Sequence, residues 1–267
     1  MNAYQNNERD NTLKAFNRLL DIMDELREKC PWDREQTFET LRPLTIEETF
    51  ELSEAILDKE YHEVVKELGD ILLHIVFYAK IGSEQRAFTI KDVIEKISDK
   101  LIYRHPHVFG TTSVGGSGEV VENWEKLKRT EKDGNRGVLS GVPSRLPALI
   151  KAYRMQDKAR AVGFDWEQRE QVWDKVEEEL DEFKEARIKG DSQQMEEEFG
   201  DLLFSLVNAA RLYGINPETA LELTNRKFLR RFNFLESEVR NSGRSLNEMT
   251  LQEMDVIWEQ AKTNNIG

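Results

Sequence analysis

Residues 196–207 read EEEFGDLLFSLV, and their spacing decides the fold. From Phe199 onward the apolar residues recur as Phe199, Leu202, Leu203, Leu206, Val207 and Ala210, the period of a helix with one buried face. Gly200 costs such a helix about 1 kcal/mol relative to Ala, and Asp201 is a poor helix former beside buried leucines. Residues 66–77, KELGDILLHIVF, repeat the same costly feature. A local penalty written twice points to a site.

The same order of motifs surrounds both copies. The first half gives CPWD, EETFE, KELGDILL, SDKLIYRHPHVF and WEKLK; the second gives GFDW, EELDE, EEFGDLLF, TNRKFLRRFNFLE and WEQAK. Glu48 and Glu67 stand 19 residues apart, as do Glu179 and Glu198. Between halves, Glu48 to Glu179, Lys100 to Lys227 and Trp124 to Trp258 shift by 131, 127 and 134 residues. Order and spacing kept over a whole unit indicate duplication. Helical periodicity runs throughout, from Leu13, Phe16, Leu19, Leu20 and Met23, with no convincing strand. The expected fold is all-α, with one helical domain over 1–132, a Gly-, Pro- and Ser-rich linker over 133–147, and a second domain over 148–267. Residues 110–118, GTTSVGGSG, lack the GK[ST] ending of a phosphate-binding loop and read as a flexible connection.

Composition narrows the function classes. The 267 residues are 39% hydrophobic and 33% charged, with a formal net charge of −13. That charge argues against binding nucleic acid or an anionic membrane, but not against a small anion carried in with a cation. The single cysteine, Cys30, excludes an intrachain disulfide framework and fits a reducing cytoplasm. No membrane-spanning run and no signal peptide is expected.

The chemistry is carried by acids. Glu179 and Glu182 are three apart, as are Glu198 and Asp201, so each pair shares a helix face. Both pairs flank their apolar stripes on the same side, and antiparallel packing of the two helices would gather four carboxylates. So many carboxylates cannot all stay ionised without a counter-charge. All-oxygen ligation favours Mg²⁺, with Mn²⁺ as a substitute. Gly200 would allow a neighbouring helix or ligand to approach. Glu48, Glu51, Glu67 and Asp70 repeat the arrangement in the first half. One EExxE string would ordinarily be a solvated helix face; recurrence of the four-acid set favours the metal. Lys227 with Arg231, and Trp258 with Lys262, are further pairs four apart, matched by Lys100, Arg104, Trp124 and Lys128. Metal, fixed cations and an indole suit a polyphosphate attached to a flat base. Surface ion pairs and core packing remain the alternatives for each residue singly. The histidines show no metalloprotease spacing, and His105 and His107 read as a structural turn around Pro106.

EELDE, EEFGD, TNRKFLRRF and WEQAK, with CPWDREQT and VGFDW opening the two halves, resemble the MazG family of nucleoside triphosphate pyrophosphohydrolases in its two-domain form. The resemblance covers nearly the whole chain. It implies tandem domains whose four-helix-bundle cores form through dimerisation, hence a homodimer, and the reaction NTP + H₂O giving NMP + pyrophosphate. It implies that Glu179, Glu182, Glu198 and Asp201 bind Mg²⁺, and that Lys227 and Arg231 contact phosphates. Trp258, Lys262 and Asn225 would complete the nucleotide site, and Glu178 would orient or activate water. The first-domain equivalents are Glu48, Glu51, Glu67, Asp70, Lys100 and Arg104. There LIYRHPHVF replaces KFLRRF, so the second domain is expected to be the main active site. Gln194 stands where some relatives carry a basic residue. The rival readings are a narrow dUTP/dCTP-type pyrophosphatase and a non-catalytic module that holds Mg²⁺-nucleotide.

Overall fold

A computed structural model describes residues 3–116, 118–120, 123, 124, 127 and 137–266. Among these every regular element is helical. Lys128 and part of the expected linker (133–136) lie outside the described residues. The chain divides into two compact units, 1–120 and 121–267.

The first unit contains α1 (Ala3–Lys29), α2 (Pro31–Glu35), α3 (Phe38–Asp58), α4 (Tyr61–Glu84), α5 (Ile90–Arg104) and α6 (Pro106–Phe109). Proline at the first position of α2 and of α6 loses no helical hydrogen bond there. Reciprocal capping boxes, Thr37 with Thr40 and Thr89 with Asp92, start α3 and α5. Helices α3 and α4 form a hairpin, and α1 packs against α4. The core gathers Met23, Leu41, Val76, Phe77 and Ile81.

The second unit contains α7 (Ala148–Arg160), α8 (Val172–Lys189), α9 (Ser192–Leu212), α10 (Pro217–Asn241) and α11 (Leu251–Thr263). Helix α8 ends on Gly190 in the left-handed region (φ 73°), where a side chain would be strained. The next residue, Asp191, caps α9 by accepting from the backbone N–H groups of Gln193 and Gln194. That tight turn lays α8 antiparallel on α9, with Val172, Val176 and Ala209 buried between them.

The apolar stripe that begins at Phe199 divides in two. Val207 is buried and Leu202 half-buried, whereas Phe199, Leu203 and Leu206 remain exposed on the single chain. Leu68, Leu72 and Ile75, at the same positions of the first unit, are exposed as well. The close approach expected at Gly200 is not made within the chain, since a Cβ there would meet nothing within 4 Å; the same holds at Gly69. Among the described residues no helix is long and apolar enough to cross a membrane.

Candidate active site

The α8–α9 hairpin brings Glu179 and Glu182 from α8 together with Glu198 from α9. Their nearest carboxylate oxygens all lie within 4.8 Å of one another. Asp201 stands outside this trio, although it lines a cavity together with Glu179. In the first unit the trio is Glu48 of α3 with Glu67 and Asp70 of α4, and Glu51 stands outside. The two hairpins thus assemble three acids each from the same four positions, but leave out different ones.

Crowding shows in the titration of these groups. Burial first, then the charges of Glu179, Glu198 and Glu178, push the Glu182 carboxyl above its ordinary range. Burial, then Asp70, Glu51 and Glu67, does the same to Glu48. Glu67 is nearly enclosed, and its Oε2 is buried with no hydrogen-bond partner. Acids held this close, with a buried oxygen lacking a donor, have the chemistry of an all-oxygen cation site.

Sequence reasoning missed a lysine at each trio. Lys175 lies 2.7 Å from Glu179 Oε1 and 2.8 Å from Glu178 Oε1, and these hydrogen bonds raise its pKa. Its spacing, four residues before Glu179, was the available signal. In the first unit Lys66 does the equivalent work from the other helix, 2.8 Å from Glu67 Oε1. Gln194 Nε2 reaches Glu198 Oε1 at 3.4 Å.

The basic and aromatic residues have local partners of their own. Arg231 Nε donates to the Ile266 carbonyl at 2.9 Å, and Lys262 pairs with Glu259. Asn225 Nδ2 reaches Glu222 at 3.5 Å, Lys227 is half-buried, and Trp258 packs on Phe228 with ring centroids 5.1 Å apart. These residues belong to the α10–α11 pair. Among the described residues no hydrogen bond or ion pair joins Lys227, Arg231, Trp258 or Lys262 to the carboxylates. In the first unit Lys100 is exposed, Arg104 is buried, and His105 Nδ1 is 2.7 Å from the Leu101 carbonyl.

Beside the second trio lies a cavity of about 650 Å³, a volume suited to a small-molecule ligand. Lys175, Glu179 and Asp201 line it, as do the aromatic rings of Phe164, Trp166 and Phe204. A polar network supports its wall. Asp165 holds Arg211 through two hydrogen bonds, and Arg211 Nε and Nη2 donate to Asn208 Oδ1 at 3.1 and 2.8 Å. Burial alone would raise the Asp165 pKa, but the hydrogen bonds and charge of Arg211 bring it below its ordinary value.

Comparison with known proteins agrees with this geometry. The family profile for the MazG nucleotide pyrophosphohydrolase domain matches residues 36–109 and 167–234, which contain both acidic trios. A nucleoside triphosphate pyrophosphohydrolase/pyrophosphatase MazG of Thermotoga maritima is 46% identical over 250 residues, covering 92% of this chain and 95% of that protein. A nucleoside triphosphate pyrophosphohydrolase of Escherichia coli is 41% identical over 261 residues, covering 95% and 99%. Two profile matches on two acidic hairpins, with relatives aligned almost end to end, place the chain in the MazG nucleotide pyrophosphohydrolase family.

Proposed function

We propose that the chain is a nucleoside triphosphate pyrophosphohydrolase, converting NTP or dNTP and water to the monophosphate and pyrophosphate, with its main active site in the second unit. The observation that carries this reading is the Glu179–Glu182–Glu198 trio beside a nucleoside-sized cavity, in a chain of this family. The trio fits a hard divalent cation, Mg²⁺ or Mn²⁺, with Asp201 as a fourth carboxylate; Glu48, Glu51, Glu67 and Asp70 form the corresponding set in the first unit. When bound, such an ion supplies charge neutralisation at phosphate oxygens and lowers the pKa of a bound water.

The remaining steps belong to the protein. Glu178 orients the attacking water and takes its proton. The new bond forms at the α-phosphorus, and the bond from that phosphorus to the α–β bridging oxygen breaks. Lys227 and Arg231 offset charge on the departing pyrophosphate, Asn225 and Lys262 steady the nucleotide, and Trp258 offers a ring to it. The exposed rows Phe199, Leu203, Leu206 and Leu68, Leu72, Ile75 support a homodimer in which four-helix bundles close over them. The open space beside Gly200 and Gly69 agrees with this.

The test is incubation with Mg²⁺ and a panel of NTPs and dNTPs, with products separated chromatographically. Pyrophosphate and monophosphate in equal amounts are expected. Release of orthophosphate, or no release from any nucleotide, would sink the reading.

A further inference from the structure

We propose that the cavity beside the second trio reads the hydrogen-bonding edge of a nucleobase through two amides, Asn208 and Gln156; this rests on the hydrolase reading above. Both residues line the cavity. Each amide has one end tied to the protein. Asn208 Oδ1 is taken up by the two N–H groups of Arg211, which leaves Nδ2 as a donor with no partner among the described residues. Gln156 is tied at its other end. Its Nε2 donates to the Phe204 carbonyl at 2.8 Å, so its Oε1 must face elsewhere.

That oxygen is the unusual feature. Gln156 is 7% exposed, and its Oε1 is buried without a hydrogen-bond partner. A buried acceptor left without a donor loses its hydration with nothing in exchange, and in native proteins it calls for a reason. A ligand N–H is that reason here. The oxygen is closed to solvent, so entry of the base displaces the wall beside it.

One donor and one acceptor match what each common base carries side by side. Adenine offers its 6-amino group and N1, cytosine its 4-amino group and N3, guanine N1–H and O6, and uracil N3–H and O4. Phe164, Trp166 and Phe204 give the cavity the flat apolar walls that a base needs, as other enzymes hold an extruded base between aromatic rings. Glu179 and Asp201 in the same lining connect it to the carboxylates that would hold the phosphate end. In one pose, with Gln156 Oε1 at the exocyclic group and Asn208 Nδ2 at the ring nitrogen, the pair suits adenine or cytosine. Guanine and uracil present the opposite polarity and must turn over to fit; a base that lacks the donor is rejected in either pose.

Pyrophosphate release is measured with ATP and with purine riboside triphosphate, which keeps N1 but has no 6-amino group. The wild-type protein is expected to show a KM about tenfold lower for ATP, the value of one hydrogen bond at a site built to make it. Gln156→Met should raise the KM for ATP to that for the analogue. Asn208→Leu should raise the KM for both nucleotides about tenfold, because N1 is present in both. Equal wild-type KM values, or a Gln156→Met protein that keeps the preference, would overturn the assignment. If that variant fails to fold, the wild-type comparison still decides. Absence of pyrophosphate from both nucleotides would instead overturn the hydrolase reading itself.

Discussion

The two units carry the same hairpin with different interiors. At the position of Asn208, 131 residues earlier, stands Phe77, which is 2% exposed and belongs to the first core. Arg27 lies over its ring at 5.6 Å. One unit fills with an aromatic ring the place where the other hangs an oriented amide beside a cavity. A cavity of about 230 Å³ in the first unit is lined by Leu20, Met23, Asp24 and Lys80 and by none of its four candidate metal ligands. Duplication thus kept the acids, while the adjoining wall diverged. The trio lysine diverged too: Lys175 corresponds to Leu44, and Lys66 to Glu197. The lesson is that a metal-binding hairpin and a base-binding wall are separable parts of this fold.

The sharpest way to break the comparison is to remove one acid from each trio. Glu179→Ala should reduce kcat/KM by about 10³-fold or more, equivalent to about 4 kcal/mol of transition-state stabilisation. Glu67→Ala should reduce it by less than about tenfold, or 1.4 kcal/mol. Steady-state pyrophosphate release, with circular dichroism to confirm helical content, checks both. Equal losses would mean that the units share catalysis, and the distinction drawn from their walls would fail.

Exchanging the wall residues comes next. Phe77→Asn removes a buried ring and leaves an amide in an apolar core, so a loss of about 3–5 kcal/mol is expected. Thermal or urea unfolding measures it. Asn208→Phe puts a ring into existing space beside the second hairpin. It removes the acceptor of two Arg211 hydrogen bonds, so a cost of about 1–3 kcal/mol is expected, below that of Phe77→Asn, while it blocks the cavity and raises KM for every nucleotide. A core at Asn208 as sensitive as that at Phe77 would show that the second unit has no open wall.

How much of this was legible in the sequence follows from what periodicity reports. Helix identity, the duplicated hairpin and its acids were readable because local spacing fixes which side chains share a face. Glu179, Glu182 and Glu198 share a face or a facing helix in any antiparallel packing of the stripes. What spacing cannot report is how helices distant in sequence meet. Arg231 and Trp258 therefore read as part of one constellation with the acids from recurrence alone, while in the structure α10 packs on α11 and α7 and also touches α9. Gln156 and Asn208 are silent in the sequence for the same reason. Their meaning depends on Phe204 and Arg211, and a lone amide in a helical pattern carries no signal. The stripe from Phe199 reads as one buried face, because amphipathicity does not reveal whether its cover comes from the same chain or a second copy.

The smallest effect concerns the arginine staples. In the first unit Arg27 donates to Glu84, whose carboxylate is 37% exposed; in the second Arg211 donates to Asp165, which is 20% exposed. Arg27 holds Glu84 below its ordinary pKa through a hydrogen bond and charge that outweigh burial, and Arg211 does so for Asp165. A carboxylate whose folded pKa is depressed contributes stability above its unfolded pKa, about 4, and loses it as pH falls through the folded value. Both units should therefore lose stability as the pH is lowered below about 4. The more enclosed pair should matter more. Asp165→Asn leaves the Arg211 guanidinium, itself only 6% exposed, without its counter-charge, and a cost of about 2–3 kcal/mol is expected, below that of a fully buried pair. Glu84→Gln, at a wetter site, should cost about 1 kcal/mol or less. Scanning calorimetry between pH 3 and 7 reads both, and each variant should flatten the acid limb of the transition that contains its own unit. An Asp165→Asn protein with wild-type acid sensitivity would mean that Arg211 is held by Asn208 alone. The network that orients the cavity wall would then not depend on the GFDW segment.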